Sequence, residues 1–264
     1  MKIPSLAGFL LFATVSLLPA GWKLESNKAL HRAPDKAFTI LEKKVKHGPS
    51  EKRTLTVRGL LFDARQCRLR VLDQGSGDQP RFRNLGQAMA TDTFIAGTNG
   101  GYFDPEMKPL GLVIADGKRA HRFQNAKLLT GVVLSDQHQP SLLWRKEFSD
   151  SKSLTQLIQA GPRLVSRAHP IPGLSDRKLR RRTFIATDQR HFWFLGTTSH
   201  ATLAEMGQLL SHQALFPELK IQRALNLDGG SSTGLWLAPQ SDFRGSYQRE
   251  MGRVRNFIGI QRKP

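Results

Sequence analysis

Three glycine-rich segments hold the residues whose types can do chemistry. The first is Gly97-Thr-Asn99-Gly100-Gly101-Tyr102-Phe103-Asp104. It offers an amide at Asn99 and a carboxylate at Asp104, around paired glycines that let a backbone turn tightly and approach a ligand closely. The second, Gln159-Ala-Gly161-Pro162-Arg163, sets a turn beside a guanidinium. The third is Asn226-Leu-Asp228-Gly229-Gly230-Ser231-Ser232-Thr233. A carboxylate at a strand end, followed by two glycines and three hydroxyls, is the plan of an anion cradle with an acid beside it. Taken singly, each segment reads as a plain turn. Gly230-Ser-Ser232-Thr-Gly234 also matches the serine-hydrolase elbow, which needs a helix after the serine and a later histidine. Here Leu235-Trp-Leu-Ala-Pro239 follows, and the last histidine is His212, so that reading is set aside.

Taken in order, the segments are more specific. Asn99 to Phe103, Pro109-Leu-Gly111, Gly161 to Val165, Arg180 to Thr183, Asn226 to Thr233 and Val254 to Ile260 together resemble the phosphodiester glycosidase family, from about Phe38 to the C-terminus. The resemblance implies hydrolysis of a sugar-1-phosphodiester at its glycosidic bond. Such cleavage passes through an oxocarbenium-like transition state, which favours a nearby carboxylate as nucleophile, base or charge stabiliser. Asp228 is the first candidate, and Asp104 is the candidate for a second carboxyl. A phosphodiester leaving group is already a weak base, so neutralising its charge matters more than protonating it. Arginine does this with a bidentate fork, and Arg163 and Arg182 are the candidates. Three consecutive arginines, Arg180 to Arg182, leave open which one serves; Arg182 is favoured because it abuts Thr183. Asn99, the backbone at Gly100, Gly101, Gly229 and Gly230, and the hydroxyls of Ser231, Ser232 and Thr233 are candidate substrate or phosphate ligands. The eight histidines show no metal spacing and read as structural or surface; no metal ligand and no cofactor is assigned, and a single Asp-loop cation site stays open. Two other readings stay open: a non-catalytic binder of anionic envelope polymers, and a phosphodiesterase that cleaves P–O.

The elements that must position these residues read mainly as strands. Arg53 to Phe62, Cys67 to Leu72, Thr93 to Thr98, Gly111 to Ala115, Leu128 to Leu134, Thr183 to Thr187, His191 to Gly196, Ala224 to Leu227 and Asn256 to Gln261 are apolar, often β-branched, and several are bounded by turn residues. The short gap between Asp188 and His191 predicts a hairpin. Helices are few. Thr202-Leu-Ala-Glu205 is a capping box, followed by Leu203, Met206, Leu209 and Leu210 at helical spacing. Ser153-Leu-Thr-Gln156 predicts a second short helix, and Leu85 to Ala90 a third. The expected fold class is α+β: one domain, a mixed and mostly antiparallel sheet with a few flanking helices.

Composition sets the outer limits. The chain has 264 residues, with 40 Lys+Arg against 21 Asp+Glu and a net charge of +19. Its 39% hydrophobic content is enough for a buried core, which argues against a disordered basic protein. The single cysteine, Cys67, excludes an internal disulfide framework and any multi-cysteine zinc site. Lys2 followed by an apolar run to Leu18 and small residues at Ala20 and Gly21 has the layout of a secretory signal peptide. The expected organisation is a signal peptide over 1–20, a linker over 21–37 and one phosphodiester glycosidase-like domain over 38–264. An exported protein, periplasmic or extracellular, rarely meets nucleic acid. The charge then points to a sugar-phosphodiester substrate and to an anionic envelope polymer or membrane surface.

Overall fold

The structure is a computed structural model that describes residues 22–47, 53–75, 79–136 and 139–264. The expected signal peptide lies outside the described residues. In chain order the elements begin β1 (Trp22–Arg32), β2 (Phe38–His47), β3 (Arg53–Asp63), β4 (Cys67–Asp73), α1 (Leu85–Met89), β5 (Phe94–Asn99), β6 (Val113–Ala115) and β7 (Lys118–Arg119). They continue with β8 (Gly131–Ser135), β9 (Pro140–Trp144), β10 (Gln156–Ala160), β11 (Arg163–Ser166), β12 (His169–Pro170), β13 (Arg180–Thr187) and β14 (Phe192–Ala201). The last are α2 (Leu203–Ser211), β15 (Arg223–Asn226), a 3-10 turn (Gly230–Ser232), β16 (Leu235–Leu237), β17 (Ser246–Gln248) and β18 (Asn256–Arg262).

Three sheets result. The largest has the order β1-β2-β3-β14-β13-β15-β11-β12, and the two five-stranded sheets run β7-β6-β10-β8-β9 and β17-β16-β5-β18-β4. The main core fills the space between them, from Ile40 and Leu60 through Val133 and Ile158 to Leu225 and Ile258. A second apolar cluster covers the other face of the large sheet, where Met206, Leu209 and Leu210 of α2 pack on Phe184 and Phe194.

This architecture corrects the expected α+β class. Strands take 47% of the described residues and helices 7%. Every strand pairing among them is antiparallel, from β1 with β2 to β18 with β4. Over the described residues the protein is a mostly-β fold with two short helices. The Ser153 capping box opens no helix either: Gln156–Ala160 is β10, buried throughout between β6 and β8. Five residues are too few for periodicity to separate strand from helix, and burial on both faces decides. Nor is 21–37 a free linker. Trp22–Arg32 pairs along β2 as the edge strand of the large sheet. Its polar outer face is what a solvent-facing edge requires, while Trp22 is buried and stacks on His47 with ring centroids 4.0 Å apart.

Other expectations hold. Thr202 and Glu205 form the capping box of α2. α1 starts where Asn84 accepts from the Gln87 amide. β13 and β14 form the hairpin, its turn held by Asp188, whose carboxylate accepts from the amides of Arg190 and Phe192.

Candidate active site

One glycine-rich segment leaves the C-terminal end of an interior strand in each sheet: the first follows β5, the second β10 and the third β15. The three segments meet. The Asp228 amide donates to the Gly100 carbonyl at 2.9 Å, and the Asn226 amide to Pro162 at 3.0 Å. The Tyr102 hydroxyl donates to the Gly161 carbonyl and accepts from Asn226 Nδ2 at 2.8 Å, so it ties all three together.

Close approach explains the paired glycines of the first segment. A Cβ on Gly100 would fall 2.2 Å from Asn256 Oδ1, and one on Gly101 2.9 Å from Ile158 of β10. In the third segment Gly230 has φ +67°, a left-handed conformation that glycine adopts without strain.

Asp228 stands at the centre, partly buried. Burial pushes its carboxyl above the usual aspartate range, while hydrogen bonds from the Ser232 hydroxyl and the Gly229 amide hold it down. The Tyr102 hydroxyl is pushed far up, first by burial and then by the Asp228 charge. Arg182 is also buried. Its Nε donates to Ala201 O at 2.9 Å and its Nη2 to Lys178 O at 2.7 Å. Burial lowers its guanidinium, with Tyr102 acting in the other direction and the Arg180 charge adding to the fall. Arg182 lies beside Gly229, and the exposed Arg180 lies beside Gly230. Cations therefore flank the glycine turn that follows the carboxylate.

The remaining candidates divide. Asn99 is fully buried and its amide is occupied: Nδ2 donates to Asp228 O at 2.7 Å, and Oδ1 accepts from Thr183 Oγ1 at 2.7 Å and the Gly234 amide at 3.2 Å. The amides of Gly100 and Gly101 go to Asn256, through its carbonyl and its Oδ1. These groups hold the segments to one another. Asp104 turns to its own loop, accepting from the Lys108 amide at 2.8 Å. Arg163 lies over the Trp144 ring at 5.4 Å, in a cluster with Arg223 and Glu147. Ser231 is exposed at the mouth, and Thr233 is fully buried.

Asn256 and Tyr102 carry more of the geometry than sequence reasoning assigned to them. A polar residue opening a buried strand was the available signal for Asn256. Asn226 Oδ1, Thr233 Oγ1, Asn256 Nδ2 and Arg181 Nη2 are buried and lack a hydrogen-bond partner. Each such atom marks a place where water or a ligand completes its hydrogen bonding. A cavity of about 600 Å³ lies elsewhere, against β4, β6 and β7. Its Arg70 and Arg255 are already paired with Asp116 and Asp73. Among the described residues no group of three or more His, Cys, Asp or Glu side chains could hold a metal ion.

A model of the phosphodiester glycosidase family matches residues 92–261, a span that contains all three segments. The chain belongs to the phosphodiester glycosidase family. Two solved structures share its fold at 15% sequence identity. One is the catalytic domain of zebrafish N-acetylglucosamine-1-phosphodiester alpha-N-acetylglucosaminidase, auto-inhibited by pro-peptide, with a TM-score of 0.64 over 92% of this chain and 89% of that one. The other is a hypothetical protein from Synechocystis, with a TM-score of 0.61 over 92% of this chain and 68% of that one. A search of curated proteins finds no match. The family span covers β5 to β18 and leaves β1 to β4 as structure this chain places around it.

Proposed function

We propose that the protein is an exported hydrolase that cleaves the glycosidic bond of a sugar-1-phosphodiester. The observation that carries this reading is Asp228, a partly buried carboxyl held by a hydroxyl and an amide where the three segments meet. It acts on the anomeric carbon as nucleophile, base or charge stabiliser. Arg182 and Arg180 lie beside the turn after Asp228 and meet the phosphate there. With Asp104 engaged in its own turn, the reaction runs with one carboxyl. That is chemically sufficient, since a departing phosphate is stable without a proton. Export rests on the N-terminal sequence, Lys2 followed by the apolar run to Leu18.

The test is sugar release from a panel of sugar-1-phosphodiesters by the wild type and by Asp228→Asn. The expected loss is about 10²–10⁴-fold, the range for removing a positioned acid–base group. Full activity in the variant would remove Asp228 from the mechanism. In heavy-oxygen water the label is expected in the sugar, whereas label in the phosphate would mark P–O cleavage.

A further inference from the structure

Among the described residues five large apolar side chains are exposed: Leu110, Leu128, Leu179, Tyr247 and Met251, the last at 80%. Single exposed apolar residues scattered over a surface are ordinary. These are not scattered. The Leu110 amide donates to the Tyr102 carbonyl, and the Met251 amide to the Ser231 carbonyl at 2.7 Å. The Leu128 carbonyl packs directly on Gly161. Leu179 sits between Lys178, whose carbonyl accepts from Arg182, and Arg180, which lies against Gly230. Tyr247 donates to Glu250, whose carboxylate packs on Gly234. Leu110, Leu128, Leu179 and Met251 therefore belong to loops that touch the glycine-rich segments around Asp228, and Tyr247 sits on β17 beside the third of them.

The same loops carry exposed cations: Lys108, Lys127, Arg177, Lys178, Arg249 and Arg253. Apolar tips protruding among cations match an anionic lipid surface, where the tips enter below the headgroups and the cations meet the phosphates. A soluble polyanion would engage the cations and leave the leucines and Met251 in water. We propose that the loops around Asp228 dock on an anionic lipid surface, so that the substrate is a sugar phosphodiester presented there. The substrate half of this proposal rests on the glycosidase reading; the docking half does not.

The experiment is co-sedimentation of the full chain with vesicles of phosphatidylcholine plus phosphatidylglycerol, and of phosphatidylcholine alone. Wild type is compared with a Leu128→Ser/Leu179→Ser/Met251→Ser variant. These neutral changes at exposed positions leave the fold and the charge intact, and the N-terminal segment is common to both proteins. The expected result is preference for the anionic vesicles and binding weaker by about tenfold or more in the triple variant. Equal binding by the two proteins would overturn the proposal. So would binding that Arg177→Gln/Lys178→Gln abolishes while the apolar variant binds normally, since that pattern marks a polyanion site. Vesicle binding needs no turnover. Absence of sugar release from any diester would defeat the glycosidase reading with the docking result still standing.

Discussion

Asn99 and Asp228 have side chains of nearly the same shape and opposite fates. Asn99 bonds through both ends of its side-chain amide to Asp228, Thr183 and Gly234, all far away in sequence. Asp228 keeps a carboxyl that burial makes harder to ionise. Both residue types were legible as chemistry-bearing in the sequence. Their roles were not, because the partners that occupy Asn99 come from 84 to 135 positions away. The raised carboxyl has a consequence for stability. Asp228 titrates higher in the folded than in the unfolded chain. As pH rises, the unfolded chain therefore releases this proton first, and the folded state loses stability through the window between the two values. Asp228→Asn removes that loss. Its thermal midpoint relative to wild type is expected to rise with pH and to converge in acid, where Asp228 is protonated. A difference independent of pH would show that the carboxyl titrates normally. Catalysis should carry the same mark, with the acid limb of kcat/KM above the range of an ordinary aspartate.

At the scale of elements, the readable parts were those with local causes. The α2 capping box lies within four residues, and the β13–β14 turn is fixed by the adjacent Thr187 and Asp188. The unreadable parts depend on distant partners. β10 is a strand because β6 and β8 flank it, and nothing in Gln156–Ala160 itself decides this. β1 escaped notice because an edge strand buries little: its apolar anchor is Trp22, which stacks on His47 and donates to Gln208 Oε1 at 3.3 Å. β1 also covers Lys43, fully buried, whose ammonium donates to Asn27 Oδ1 at 2.6 Å and is pushed below the usual lysine range by burial. Trp22→Ala is accordingly expected to destabilise the protein by about 3 kcal/mol, the cost of emptying a large aromatic site. Urea denaturation measures it, and a change within experimental scatter would mean that β1 is not anchored there.

For the whole molecule, the decisive strand is β18. It lies between β5 and β4 in the interior of its sheet, and its first residue, Asn256, holds the Gly100 and Gly101 amides. Truncation before Asn256 is expected to abolish cooperative unfolding, read by circular dichroism on heating. A truncated chain that still melts cooperatively would show that the sheet closes without β18. The charge of +19 is also a property at this scale. Away from the Asp228 end many cations are consumed in ion pairs, such as Arg119 with Asp150 and Arg255 with Asp73. The meeting of three strand ends, one from each sheet, carries a further consequence. The site works as a coincidence detector for assembly. Until all three sheets have docked, no part of the chain holds Asp228, Tyr102 and the Gly161 carbonyl together, so a half-formed molecule carries no candidate site at all.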